Sequence, residues 1–130
     1  RISKATGDAN AMYVIDGRHY AMFIIENVGA EDGFSLELMQ DVALGYAAEA
    51  ANIQRSSVPI LNRQTVSVDD KKLLSLGYSA TVDNVDFTYQ NNIYVGADFT
   101  MQAIVFGVGN ATKKVQDYNE ILLQSIKITD

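Results

Sequence analysis

The chain has no cysteine, no tryptophan, one proline and one histidine in 130 residues. Without cysteine there is no disulfide, no thiolate nucleophile and no Cys-ligated zinc. The lone His19 cannot supply a typical zinc site, which draws on three or four His, Cys or carboxylate ligands. A Ser-His-Asp set would have to recruit His19 and Asp16 with an unspecified serine, and no Gly-x-Ser-x-Gly elbow is present. His19 is therefore read as a surface residue flanking a hairpin. Positive charge is also short. Ten Lys and Arg against sixteen Asp and Glu leave −6, divided evenly between the two halves of the chain. Such a balance suits a phosphate backbone poorly, so no nucleic acid is expected as partner. The longest apolar run, Ala21 to Ile25, is about five residues, against the ~20 of a membrane span and the ~7–15 of a signal peptide's core. These absences lead to the expectation of a non-enzymatic chain with no cofactor and no metal site.

What is present is ordinary globular material, 48% apolar and 20% charged. One domain over residues 1–130 fits the usual ~100–200 residues per domain, and such a chain buries about two-thirds of its unfolded surface. Residues 1–10 are small and polar and read as a loose lead-in. An opening at Arg1 suggests the C-terminal part of a longer precursor.

Hydrophobic periodicity then organises the chain. Met12 to Asp16 and His19 to Asn27 are β-prone runs joined at Asp16-Gly17, a hairpin turn signal. Ser35 to Ala51 reads as a helix with Leu38, Met39, Val42, Ala43, Tyr46 and Ala50 on one stripe. Ser35 is placed to cap it, and its alanines suit close packing on a sheet. Beyond it the period becomes two. Val58, Ile60, Val66 and Val68 share a parity, Asp69 to Lys72 is a polar turn, and Leu74, Leu76, Tyr78, Ala80 and Val82 alternate as in a half-buried strand. The phase slips at Asp83-Asn84, which predicts a bulge or tight turn there. Asn91-Asn92 marks a further hairpin, predicted as a three-residue loop from Gln90 to Asn92 that sets Phe87 opposite Val95 and Val85 opposite Ala97. Thr112 to Gln124 reads as a second helix with Val115, Tyr118, Ile121, Leu122 and Ser125 inward, followed by a short extended tail at Ile126 and Ile128. The order argues for an α+β fold: a twisted antiparallel sheet with two main helices packed on it.

This order, closing on Ile121-Leu122-Leu123-Gln124-Ser125-Ile126-Lys127, resembles PsbP/Mog1-like domains, most of all the secreted or lipoprotein-type members of Gram-positive bacteria. The likeness is carried by Met12-Tyr13-Val14 through Glu26-Asn27, by the helix after Ser35, and by the strands from Gly77 to Phe106 before the last helix. It implies an αβα sandwich and a binding or assembly role, with no shared catalytic residues to transfer. It also implies an extracytoplasmic location, secreted or lipid-anchored at the cell surface. Without the family's opening strand and helix one sheet border would lie bare, so residues 1–10 should cover it or two copies should pair through it as a homodimer.

Two motifs invite a sharper function and lose to plainer readings. Gly107-Val108-Gly109-Asn110-Ala111-Thr112 follows a strand and opens a helix, as a dinucleotide loop does. Its third glycine is replaced by Thr112, however, and the alternating strands upstream are not those of a parallel core. Asp8-Ala9-Asn10 and Asp83-Asn84-Val85-Asp86 begin like calcium loops but lack the glycine and distal glutamate. The tyrosines Tyr78, Tyr89 and Tyr94 are the candidate partner-binding face. The expected function is a non-catalytic extracytoplasmic binding or assembly domain for a protein or cell-envelope partner. The alternative is a carrier with a pocket for a small apolar ligand between the sheet and the first helix, and a hydrolase of unknown type comes third.

Overall fold

The computed structural model describes residues 2–3, 11–109 and 112–128, with Ile2 and Ser3 as backbone only. The strands are β1 (Ile2–Ser3), β2 (Ala11–Asp16), β3 (His19–Glu26), β4 (Ile60–Val68), β5 (Lys71–Val82), β6 (Val85–Val95) and β7 (Thr100–Val108). The helices are α1 (Leu36–Ala51) and α2 (Thr112–Ser125). The strands form one antiparallel sheet in the order β1-β2-β3-β7-β6-β5-β4.

Turn chemistry explains the hairpins. Asp69-Asp70 and Asp83-Asn84 each place two successive residues at positive φ, between 51° and 64°. This is the mirror-type two-residue turn whose twist matches paired strands and which Asp and Asn tolerate. The phase slip at Asp83-Asn84 is thus a tight turn, with Val82 opposite Val85. The Asp16-Gly17 signal also holds, since Asp16 pairs with His19 across that turn.

Asn91 and Asn92 make no turn. They lie inside β6, Asn91 between Leu76 and Ile104 and Asn92 between Ser75 and Ala103, fully buried. β6 runs on to Val95, and the reversal comes at Gly96, whose N–H donates to the Phe99 carbonyl at 2.8 Å. Phe87 faces Ala80 and Val108 instead of Val95. Amide side chains favour turns when solvated, but these two find bonding partners within the protein, and that outweighs the local preference.

The helices lie on opposite faces, giving an αβα sandwich. On one face α1 packs Leu44, Ala47 and Ala48 against Leu76, Tyr78 and Ala80. Met39 and Ala43 meet Ile93 there. On the other face Leu73, Tyr94, Met101 and Ala103 gather with Val68 and Ile128, and Leu122, Leu123 and Ile126 close over them. Covered on both sides, β5 is not the expected half-buried strand: Leu73 and Ser75 are as inaccessible as Leu76.

Ser35 caps α1, its Oγ accepting from the Leu38 N–H at 3.1 Å. The inward stripe is rotated from the expected one. Leu38 and Tyr46 are exposed, while Ala47 and Ala48 are buried. The small residues let the helix approach β5 closely, with Met39 and Leu44 buried on the same side, while Leu38 and Tyr46 point away. α2 departs similarly: Val115 and Asn119 are buried, Ile121 is 60% exposed, and Ser125 is exposed. In β4 an irregularity between Ile60 and Asn62 breaks the shared parity. Val58 joins the α1 cluster, whereas Val68 joins the cluster on the opposite face. The tail forms no strand. Ile128 is buried, and its N–H donates to Asp69 Oδ2 at 3.0 Å. At the sheet border Ile2 and Ser3 pair with Tyr13 and Met12. The rest of the expected lead-in lies outside the described residues, as do Asn110 and Ala111 of the glycine motif.

Candidate functional site

The three candidate tyrosines do not share a face. Tyr78 and Tyr89 are cross-strand neighbours on the α1 side, stacked with ring centroids 5.1 Å apart. Tyr94 belongs to the opposite face and packs on Phe99. Tyr78 and Tyr94 are buried, and Tyr89 is half-buried. The Tyr78 hydroxyl accepts from Asn91 Nδ2 at 3.3 Å. Burial pushes the Tyr78 phenol far above its ordinary pKa, and raises that of Tyr89 as well.

These two tyrosines border a pocket. α1 packs mainly on β5 and β6, and among the described residues no helix packs closely on the same face of β3 and β2. A cavity of about 300 Å³ forms at this step. Its sheet wall is Met22, Ile24 and Ile104, and Ala47 lines the helix side with exposed Tyr46 and Ala50. Among the described residues no charged side chain lines it. The polar residue in the wall is Gln102, 2% exposed, whose Oε1 accepts from Asn91 Nδ2 at 2.8 Å. Gln102 Nε2 and Asn91 Oδ1 are buried without a hydrogen-bond partner among the described residues.

The opposite face carries a second hollow, about 700 Å³, between α2 and the β2–β3 wing. Tyr13, Phe23 and Ile25 line it from the sheet, Ile121 and Ile126 from the helix side. Tyr13, Ile25 and Ile121 are all exposed there. Nearby, α2 is tied to the sheet by buried amides. Asn92 Nδ2 donates to Asn119 Oδ1 at 2.7 Å and to the Ala103 carbonyl at 2.9 Å, while Ser75 Oγ donates to Asn92 Oδ1 at 2.7 Å.

His19 is not the expected surface residue. It is 8% exposed, its Nδ1 lies 2.8 Å from Asp16 Oδ1, and its ring meets Tyr118 edge-on. Asp16 also accepts from the Arg18 backbone N–H at 2.8 Å and from the Tyr118 hydroxyl at 2.8 Å. These bonds, the Arg18 bond first, hold its carboxyl well below the usual carboxylate range. The Asp16 bond raises the Tyr118 phenol. His19 Nε2 meets no hydroxyl among the described residues, so the cluster works as a tether between the β2–β3 hairpin and α2. Among the described residues no three His, Cys, Asp or Glu side chains converge on a common point.

No protein-family model and no curated protein matches the chain in sequence. Solved structures do match in shape. Cyanobacterial PsbP (CyanoP) from Synechocystis sp. PCC 6803 superposes with a TM-score of 0.68 at 13% identity, over 99% of this chain and 81% of that one. The fold is PsbP-like. LpqN of Mycobacterium tuberculosis, described as involved in cell envelope biogenesis, matches at TM-score 0.61 and 12% identity over 100% of this chain and 78% of its own. PA94 of Pseudomonas aeruginosa, a protein of unknown function called a putative regulator, matches at 0.61 and 11% over 100% and 81%. At such identities the likeness is one of fold. The PsbP-like sandwich positions Gln102 and Asn119, two residues that periodicity did not single out. Gln102 carries a signal in the sequence, a polar residue between Met101 and Ala103 in an otherwise apolar stretch, whereas Asn119, between Tyr118 and Glu120, carries none.

Proposed function

We propose that this chain is a non-catalytic binding or assembly domain that works outside the cytoplasm and engages a protein or a cell-envelope component. The observation that carries this reading is the apolar hollow beside α2, where Tyr13, Ile25 and Ile121 stand exposed. Exposed apolar clusters rimmed by polar surface mark interaction sites. The PsbP-like fold, shared with a protein named for cell envelope biogenesis, supports the setting. A photo-crosslinking residue at position 121, in cells that naturally make the protein, is the test. The reading expects one defined crosslinked species that disappears when Ile25→Lys is added. A chain that crosslinks to nothing from position 121 would overturn it.

A second reading, a carrier for a small ligand, is favoured by the pocket under α1. Its volume of about 300 Å³ reaches the lower end of the ~300–1,000 Å³ typical of ligand sites.

A further inference from the structure

The sheet ends on β4, whose outer edge is a second surface, separate from the hollow beside α2. We infer that this edge takes up an extended peptide segment of a partner protein, with acidic and apolar residues in alternation, as an eighth strand. In the strand order β4 is paired on one side only, with β5. At the other border the last strand, β1, is two residues long. β4 runs for nine residues and, past the irregularity between Ile60 and Asn62, stays in register to Val68. Sheet edges of such length are usually blunted by proline, bulges or several charges. Here Pro59 and the irregularity guard only the start, and Arg63 is the one charged residue of the strand.

The turn decides which backbone groups face outward. A two-residue mirror turn closes on a hydrogen-bonded pair, here Val68 and Lys71, and the pairs alternate from there. The N–H and C=O groups of Arg63, Thr65 and Ser67 therefore point away from β5. These three residues are exposed, and Arg63 and Thr65 stand opposite Leu76 and Leu74 on the α1 face. Arg63 Nε donates to Gln40 Oε1 of α1 at 3.1 Å, a neutral partner, and among the described residues no carboxylate pairs with it. Asp41 of the same helix lies 3.8 Å from Arg55 instead. Lys72, opposite Ser67, adds a second exposed cation. On the other face Val66 is half-buried and offers apolar surface. A strand laid here meets cations on one face and an apolar side chain on the other, which suits acidic and apolar residues in turn. A second copy of β4 fits worse, because residues 52–68 contain two arginines and no acid.

The test is amide NMR of the full chain titrated with the capped peptide Val-Glu-Val-Thr-Val-Glu-Val. The amides of Arg63, Thr65 and Ser67 should shift and exchange with solvent more slowly, as their outward N–H groups gain partners. The same peptide with lysine for glutamate should bind about tenfold more weakly, and Arg63→Glu should invert that preference. Thr65→Pro removes an outward donor and keeps the bonds to β5, so it should abolish binding and leave the rest of the spectrum in place. Arg63→Glu keeps the test decisive if Thr65→Pro folds poorly. Equal affinity for the two peptides, no binding at millimolar peptide, or shifts confined to the hollow beside α2 would overturn the inference. A dimer in light scattering that Thr65→Pro returns to monomer would overturn it in favour of a second copy. Crosslinking from position 121 reads a different surface, so the two readings fail separately.

Discussion

Asn62 and Gln90 sit on strands separated by a third, yet their amides exchange two hydrogen bonds over Gly77. Gln90 Nε2 donates to Asn62 Oδ1 at 2.9 Å, and Asn62 Nδ2 donates to Gln90 Oε1 at 3.2 Å. Gly77 lies directly between them, paired with Asn62 on one side and Gln90 on the other. Only an absent side chain lets the amides meet. Gln90 Nε2 also donates to Ser75 Oγ at 2.8 Å, and Gln90 Oε1 accepts from Gln116 Nε2 of α2 at 2.9 Å. One glycine thus permits a polar row running from the β4 border to α2.

Gly77→Ala should break that row. A Cβ there would collide with the Asn62 amide and come within 2.7 Å of Gln90 Oε1. The cost expected of overpacking at such a site is about 1–3 kcal/mol. Urea unfolding should show a lower midpoint with an unchanged slope, and a midpoint equal to the parent's would contradict the close approach.

Asn92 is the centre of the amide ladder under α2. Asn92→Ala strips partners from Ser75 and Asn119 and opens a small cavity, so a loss of about 2–4 kcal/mol is expected. Asn92→Leu combined with Asn119→Leu removes both amides of the closest pair and should recover part of that loss. The comparison by denaturant unfolding separates the penalty of orphaned polar groups from that of lost volume.

Asp16 makes the protein acid-sensitive. Its folded pKa lies below the ordinary value near 3.8, so the unfolded chain takes up a proton first as pH falls. The stabilisation is complete above pH ~5 and disappears as pH falls below the unfolded value toward the folded one. Melting temperatures of the parent and Asp16→Asn should therefore differ at pH 7 and draw steadily together as pH falls below about 4. Parallel curves across that range would remove Asp16 from the account.

Tyr78 works at the other end of the scale. Burial holds its phenol neutral well above the free value of 10.0. The unfolded chain ionises first, so stability is whole below about pH 10 and declines as pH climbs toward the raised folded value. Tyr78→Phe should flatten that alkaline decline, measured as urea midpoints between pH 9 and 11. Ultraviolet titration of the parent should show a tyrosine that ionises only as the chain unfolds.

The helices, the hairpins at Asp16-Gly17 and Asp83-Asn84 and the antiparallel order were legible in the sequence because each depends on neighbours within a few positions. A mirror turn needs only two residues that tolerate positive φ, and a cap needs only a hydroxyl three residues before an amide, as with Ser35 and Leu38. The face that α1 turns inward, the placement of Asn91 and Asn92 in mid-strand, the burial of His19 and the gap beside Gln102 were not legible. Burial depends on what other chain segments lie above a residue. Asn92 looks like a turn residue until Ser75, 17 positions back, and Asn119, 27 positions on, bond its amide. His19 looks exposed until Tyr118, from the far end of the chain, closes over Asp16. The pocket lies where α1, packed mainly on β5 and β6, borders Met22, Ile24 and Ile104 of the neighbouring strands, an arrangement that only the assembled layers decide.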